Sequence, residues 1–198
     1  FWRWRWHLRR VLTLTIVLFV ALAFLMEAPV WYLIARIDLA GGSTSWHRAE
    51  LIHQAIRHFD EWWLIGTDYT RHWMAYGIEW SEDHVDITNH YITLGVRGGI
   101  LLMGIFIIFL IRAFQALGRG MKALQLSGDT QSEFLLWCVG ASLFLHAFTF
   151  MAISYFDQSY VFFCSVVAGS GLGVLHTQLV ATRTHEKQHR GTLTPSRA

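Results

Sequence analysis

Gly41-Gly42-Ser43-Thr44-Ser45-Trp46-His47-Arg48 opens a polar run that closes at Asp86-Ile87-Thr88-Asn89-His90-Tyr91-Ile92-Thr93-Leu94-Gly95-Val96-Arg97-Gly98-Gly99, with apolar runs on either side. It holds six of the eleven histidines, and nine of the fourteen acids fall between Arg36 and Arg97. The whole chain of 198 residues is 54% hydrophobic and only 15% charged, whereas a soluble domain carries about a quarter charged residues. The sequence therefore predicts an all-α integral membrane protein whose chemistry is concentrated in one large extracytoplasmic loop.

Outward from that loop, a bilayer core needs about 20 apolar residues of helix. Four runs supply them: Val11 to about Ile34 with a bend near Pro29, Val96 to Phe114, Phe134 to Tyr155, and Tyr160 to Val180. Transmembrane helix 1 is assigned to 11–35, the loop to 36–95 and helices 2 to 4 to 96–181. Residues 1–10 form a cytoplasmic segment, and the polar, aperiodic tail 182–198 is expected to be disordered. Tryptophans at the ends of apolar runs (Trp6, Trp31, Trp137) fit interfacial anchoring. Eleven Lys and Arg lie on the side of both termini, against five from Arg36 to Arg97. The positive-inside rule thus puts both termini in the cytoplasm and the long loop outside. Phe1 in place of Met, within Phe-Trp-Arg-Trp-Arg-Trp, reads as a fragment whose N-terminal part is missing.

Several classes fall away. No basic stripe interleaved with exposed aromatics supports nucleic-acid binding. Cys138 and Cys164 sit inside apolar runs and form no disulfide framework. Glu27-Ala28-Pro29 follows the first run where a signal peptide would show small residues at a cleavage site. Gly169-Ser170-Gly171-Leu172-Gly173 has no preceding strand and is no dinucleotide fingerprint; Gly169 and Gly173 instead suit close helix approach. His53 and His58 lie on different helical faces and no His-Glu-x-x-His pattern occurs, so no metal site and no cofactor is expected. No nucleophile elbow supports Ser-His-Asp hydrolysis. His146, midway along the third run, reads as a hydrogen-bonded interhelical residue.

Within the loop, Leu51, Ile52, Ala55, Ile56, Phe59, Trp62 and Trp63 fall at the spacing of an amphipathic helix over 46–63, with Ser43, Thr44 and Ser45 as capping residues. Glu50, Gln54, Arg57 and Glu61 gather on its polar side, whereas Arg48 projects with Ile52, Ala55 and Phe59 into the apolar arc. An inward charge is costly unless paired. Arg48 is read either as an anion clamp, helped by the free amides of the first turn, or as a partner for Glu27 or a lipid headgroup. Glu27, near the outer end of the first run, is a functional candidate or a snorkelling carboxylate. A helix starting near Asp86 would place Asp86, Asn89 and His90 on one face. Those three could accept a proton from a sugar hydroxyl and orient it, or Asp86 or Thr88 could simply cap the helix.

Ser45-Trp46-His47-Arg48 opening a helix, the Leu64-Ile65-Gly66 turn, and Thr88-Asn89-His90-Tyr91-Ile92 running into Gly98-Gly99 resemble the C-terminal half of bacterial O-antigen ligases and O-antigen polymerases. The resemblance covers roughly Val11 to Phe114. It implies a metal-independent, multi-pass GT-C-type glycosyltransferase of the bacterial inner membrane, its main loop periplasmic, that moves a glycan from undecaprenyl pyrophosphate to a glycan or lipid acceptor at the periplasmic face. It also implies that Arg48 binds the pyrophosphate, and that a histidine near the end of the loop handles the acceptor. This chain departs from the family pattern there: alignment on Asn89 and Tyr91 puts Thr88 at the histidine position, with His90 two residues on, while Trp63 and Asp68 replace the Pro and second Gly of the family's turn. Asp86 or His90 is therefore the expected base. His47, Asn89, Arg97 and Glu27 complete the expected substrate-binding set, Arg97 as a second phosphate contact or an interfacial anchor. The alternative is a non-enzymatic membrane component of polysaccharide export or assembly, acting with other envelope proteins.

Overall fold

The computed structural model describes residues 8–26, 29–33, 44–74 and 79–171. These are all-helical. Helix α1 spans Leu8–Leu25, α2 Thr44–Arg57, α3 Phe59–Trp62, α4 His90–Ser127 and α5 Thr130–Thr149, with 3-10 turns at Val30–Tyr32 and Arg71–Trp73. A last helix, α6, runs through residues 158–171. Among the described residues the extended pairing outside the helices is an isolated antiparallel bridge between Glu79 and Val85.

Helices α4 and α5 are long and apolar enough to cross a bilayer, and only 22% and 17% of their apolar windows are buried. The core helix of a soluble domain would be mostly covered.

Helix boundaries differ from the sequence reading for local reasons. The first run does not continue as helix to Ile34: α1 stops at Leu25, because Pro29 lacks the N–H that the Leu25 carbonyl would need. A 3-10 turn follows, in which Tyr32 N–H donates to Pro29 O at 2.9 Å. Glu27, residues 1–7 and the tail 182–198 lie outside the described residues. The second helix begins at His90, not Val96, and runs past Phe114 to Ser127. It ends in a Schellman turn. Gly128, at φ +74°, donates to Gln125 O, and Asp129 N–H donates to Leu124 O, both at 3.3 Å. Asp129 then caps α5, its Oδ1 accepting Ser132 N–H at 3.0 Å, so that helix starts at Thr130 rather than Phe134 and ends at Thr149 rather than Tyr155. Hydropathy alone misses these turns because they are made by polar residues.

The chain divides into two compact units, residues 1–104 with 150–154, and residues 105–149 with 155–198. In the second, a Cβ on Gly140 would lie 3.9 Å from Leu117, and one on Gly169 would lie 3.8 Å from Val139, both ordinary contacts; Gly173 is outside the described residues. His146 Nδ1 and the Tyr155 hydroxyl are 2.7 Å apart, which gives that polar side chain a hydrogen-bond partner within its apolar unit. In the first, Leu51, Ala55, Trp62, Trp73, Met74, Val85 and Val96 form a buried core, with Ile87, Ile92 and Met103 packed against it.

What ties this core to α4 is a break in the helix. Gly98 (φ −157°, ψ 26°) and Gly99 (φ 71°, ψ −176°) leave helical geometry, so the helical ladder around them is interrupted. The turn after Trp62 satisfies the groups set free. Ile100 N–H donates to Trp63 O at 2.7 Å, and Thr67 N–H donates to Val96 O at 2.8 Å. Both glycines at the junction are forced. A Cβ on Gly99 would stand 2.2 Å from Leu64 O, and one on Gly66 (φ +92°) 2.3 Å from Val96 O. The Leu64-Ile65-Gly66 and Gly98-Gly99 signatures, read from sequence as separate marks, are two halves of one joint.

Candidate functional site

The amphipathic helix expected over 46–63 is interrupted. α2 ends at Arg57, His58 takes a non-helical conformation (φ −99°, ψ 28°), and α3 carries on from Phe59 to Trp62. Its buried residues are His47, Ala49, Leu51 and Ala55, while Ile52 is half-buried and Phe59 is exposed. Arg48 lies between these buried positions on the helical wheel. It is half-buried, and its buried Nε has no hydrogen-bond partner among the described residues. Glu50 is engaged elsewhere: it accepts from Tyr32 Oη and from Gln54 Nε2, each at 2.7 Å.

His47 connects the two parts of the expected site. Only 6% exposed, it donates from Nε2 to the backbone carbonyl of Asp86 at 3.2 Å, which holds the first turn of α2 against the segment leading into α4. That segment is not helical. Asp86 to Asn89 is irregular and α4 starts at His90, so the shared helix face for Asp86, Asn89 and His90 does not form. Neither Asp86 nor Thr88 caps the helix. Asn89 does, its Oδ1 accepting Ile92 N–H at 3.1 Å while its Nδ2 donates to Met151 O at 3.0 Å.

His90 is 1% exposed, with its backbone N–H on Phe150 O at 2.8 Å and its ring stacked on Phe150 at 4.7 Å. A ring so covered cannot reach an acceptor in this conformation, and Asn89 is spent on the cap. The Asp86 side chain is half-buried and Arg97 is exposed. Asn89→Ala should cost about 2–3 kcal/mol, a lost cap plus a buried carbonyl left unpaired. Asn89→Ser, which keeps a capping oxygen without setting a carboxylate against Met151 O, should cost less; thermal unfolding of both variants checks the order.

A second polar grouping forms around Glu61, which helical spacing does not foreshadow. His58 Nδ1 lies 2.8 Å and His72 Nε2 2.9 Å from the same oxygen of Glu61, and Trp73 Nε1 donates to the other oxygen at 2.9 Å. A carboxylate only accepts, so both imidazoles present N–H groups to it. Burial works against the charge on Glu61, yet the hydrogen bonds from Trp73, His72 and His58 outweigh it and hold the carboxyl down at about 2. The rings are braced as well: His58 stacks on Trp73 at 5.8 Å and His72 on Tyr69 at 5.3 Å. His58 and Glu61 are three residues apart, but His72 arrives only after the turn at Gly66. Helical spacing therefore could not associate it with them.

No family model, curated protein or solved structure matches the chain. The arrangement around Arg48 offers a guanidinium whose Nε has no partner among the described residues, next to a histidine that fastens the segment of the half-buried Asp86. The Glu61 grouping offers two nitrogens and an oxygen converging on one point.

Proposed function

We propose that the chain is the C-terminal part of a multi-pass inner-membrane glycosyltransferase of the GT-C type, similar to O-antigen ligases and polymerases, with its large loop periplasmic. The observation that carries the reading is Arg48: a guanidinium whose buried Nε lacks a partner among the described residues, near the start of a helix, next to His47, which is fastened to the Asp86 segment. Guanidinium is the side chain best shaped to hold a diphosphate with paired hydrogen bonds. The donor is an undecaprenyl-pyrophosphate-linked glycan. The acceptor hydroxyl attacks the anomeric carbon, the bond from that carbon to the pyrophosphate oxygen breaks, and undecaprenyl pyrophosphate leaves with the bonding pair. Arg48 stabilises the charge gathering on that leaving group, and the Asp86 carboxylate takes the acceptor proton. His90 and Asn89 serve as architecture under the site. Four spans, α1 and α6 joining α4 and α5, satisfy the distribution of basic residues with both termini cytoplasmic.

Arg48→Ala should lower glycan transfer by roughly 10²–10³-fold in a complementation assay, the scale of losing one charge-stabilising group, with unchanged abundance in the membrane. Arg48→Lys should rescue poorly because a single ammonium cannot make the paired contact. Wild-type transfer by Arg48→Ala would remove the clamp. The burial of His90 favours a second reading, a non-enzymatic component of polysaccharide export or assembly. In that case loop substitutions change complex formation and leave the lipid-linked donor pool as it was.

A further inference from the structure

We propose that His58, Glu61 and His72 bind a divalent transition-metal ion of the zinc class, through His58 Nδ1, one Glu61 oxygen and His72 Nε2, with the remaining position open to water. The three ligand atoms lie within 4.8 Å of one another. Zinc–nitrogen and zinc–oxygen bonds of about 2.0–2.2 Å set ligand atoms roughly 3.3–3.5 Å apart around a tetrahedral ion. The two nitrogens, at 2.8 and 2.9 Å from the shared oxygen, need to back away from it by about half an ångström. These side chains have room to do so: His58, Glu61 and His72 are 23%, 30% and 39% exposed.

Two imidazoles and a carboxylate suit zinc, and also cobalt, nickel, copper and ferrous iron. Each neutral imidazole offers its lone pair by moving its proton to the other ring nitrogen, so no proton need leave the protein. The surroundings resemble an outer shell. Trp73 holds the oxygen not given to the ion, and its ring and that of Tyr69 fix the planes of the two histidines. An ion here would clip α3 to the turn at Arg71–Trp73, closing the loop that carries Gly66. The inference stands apart from glycan transfer, whose proposed steps do not pass through this ion.

The test uses the full chain in detergent, stripped with chelator and titrated with Co²⁺, with Zn²⁺ in competition. One Co²⁺ per chain should bind with the visible spectrum of a four- or five-coordinate ion, and Zn²⁺ should displace it. The double variant His58→Ala/His72→Ala should lose this spectrum, and Trp73→Phe should bind about 10–100-fold more weakly. His84→Gln and Arg48→Ala should bind as wild type. In the unmodified chain, Zn²⁺ should protect His58 and His72 from carbethoxylation, mapped by mass spectrometry; this measurement needs no variant to fold. A spectrum unchanged in the double variant, or equal modification of both histidines with and without Zn²⁺, would overturn the site.

Discussion

Gly99→Ala is expected to unfold the junction between α4 and the turn at Gly66. At φ 71°, ψ −176° the residue occupies backbone space that is essentially reserved for glycine, at a cost of about 1–3 kcal/mol for any side chain. The new Cβ would also meet Leu64 O at 2.2 Å. That carbonyl cannot retreat freely, because the adjacent Trp63 O accepts the Ile100 N–H at 2.7 Å; losing this bond adds about 1–3 kcal/mol. Gly66→Ala should behave alike, with its Cβ 2.3 Å from Val96 O. Gly104→Ala is the contrast: nothing lies within 4 Å of the added carbon, and alanine favours helix by about 1 kcal/mol, so stability should hold or rise. Thermal unfolding in detergent, followed by size-exclusion profile, reads all three. A Gly99→Ala chain as stable as wild type would mean the docked turn does not exist.

Trp62→Ala should be nearly as damaging. The indole is 5% exposed, and its Nε1–H donates to Ala55 O at 2.8 Å, holding α3 to α2 across the break at His58. Its ring also fills the space that a Cβ on Gly95 would enter at 2.5 Å. Removing a buried tryptophan costs about 3–5 kcal/mol. Trp62→Phe retains most of the apolar area and should lose about 1 kcal/mol for the hydrogen bond. Equal losses for the two substitutions would show that the hydrogen bond outweighs the packing.

These two cases mark what could be read from the amino acids. Apolar run length predicts helices in the right regions, and the loop is where the polar groups converge, because both follow from local composition. The ends of the elements escape that reading. Asn89 caps α4 in place of Asp86 or Thr88, and the helix stops at Arg57 although the apolar spacing continues to Trp63; each outcome depends on partners distant in sequence, Met151 for Asn89 and Trp73 and His72 around His58 and Glu61. The same reason explains the histidines. Spacing along one helix separates His58 from the other metal-ligating candidates, and only the turn through Gly66 returns His72 to it. Arg48 is the reverse case. Its inward tendency is visible in the pattern, while the hydrogen bond that joins the neighbouring His47 to the Asp86 carbonyl is not.

The interruption at Gly98-Gly99 has a mechanical consequence. A continuous helix would let the loop slide over its side chains, held by contacts that are individually weak. Here the two segments share main-chain bonds in both directions, so the start of the long rod and the strap beside it move as one piece. Tilting that rod would carry Trp62, and through it the first turns bearing Arg48, along the same arc instead of leaving them behind.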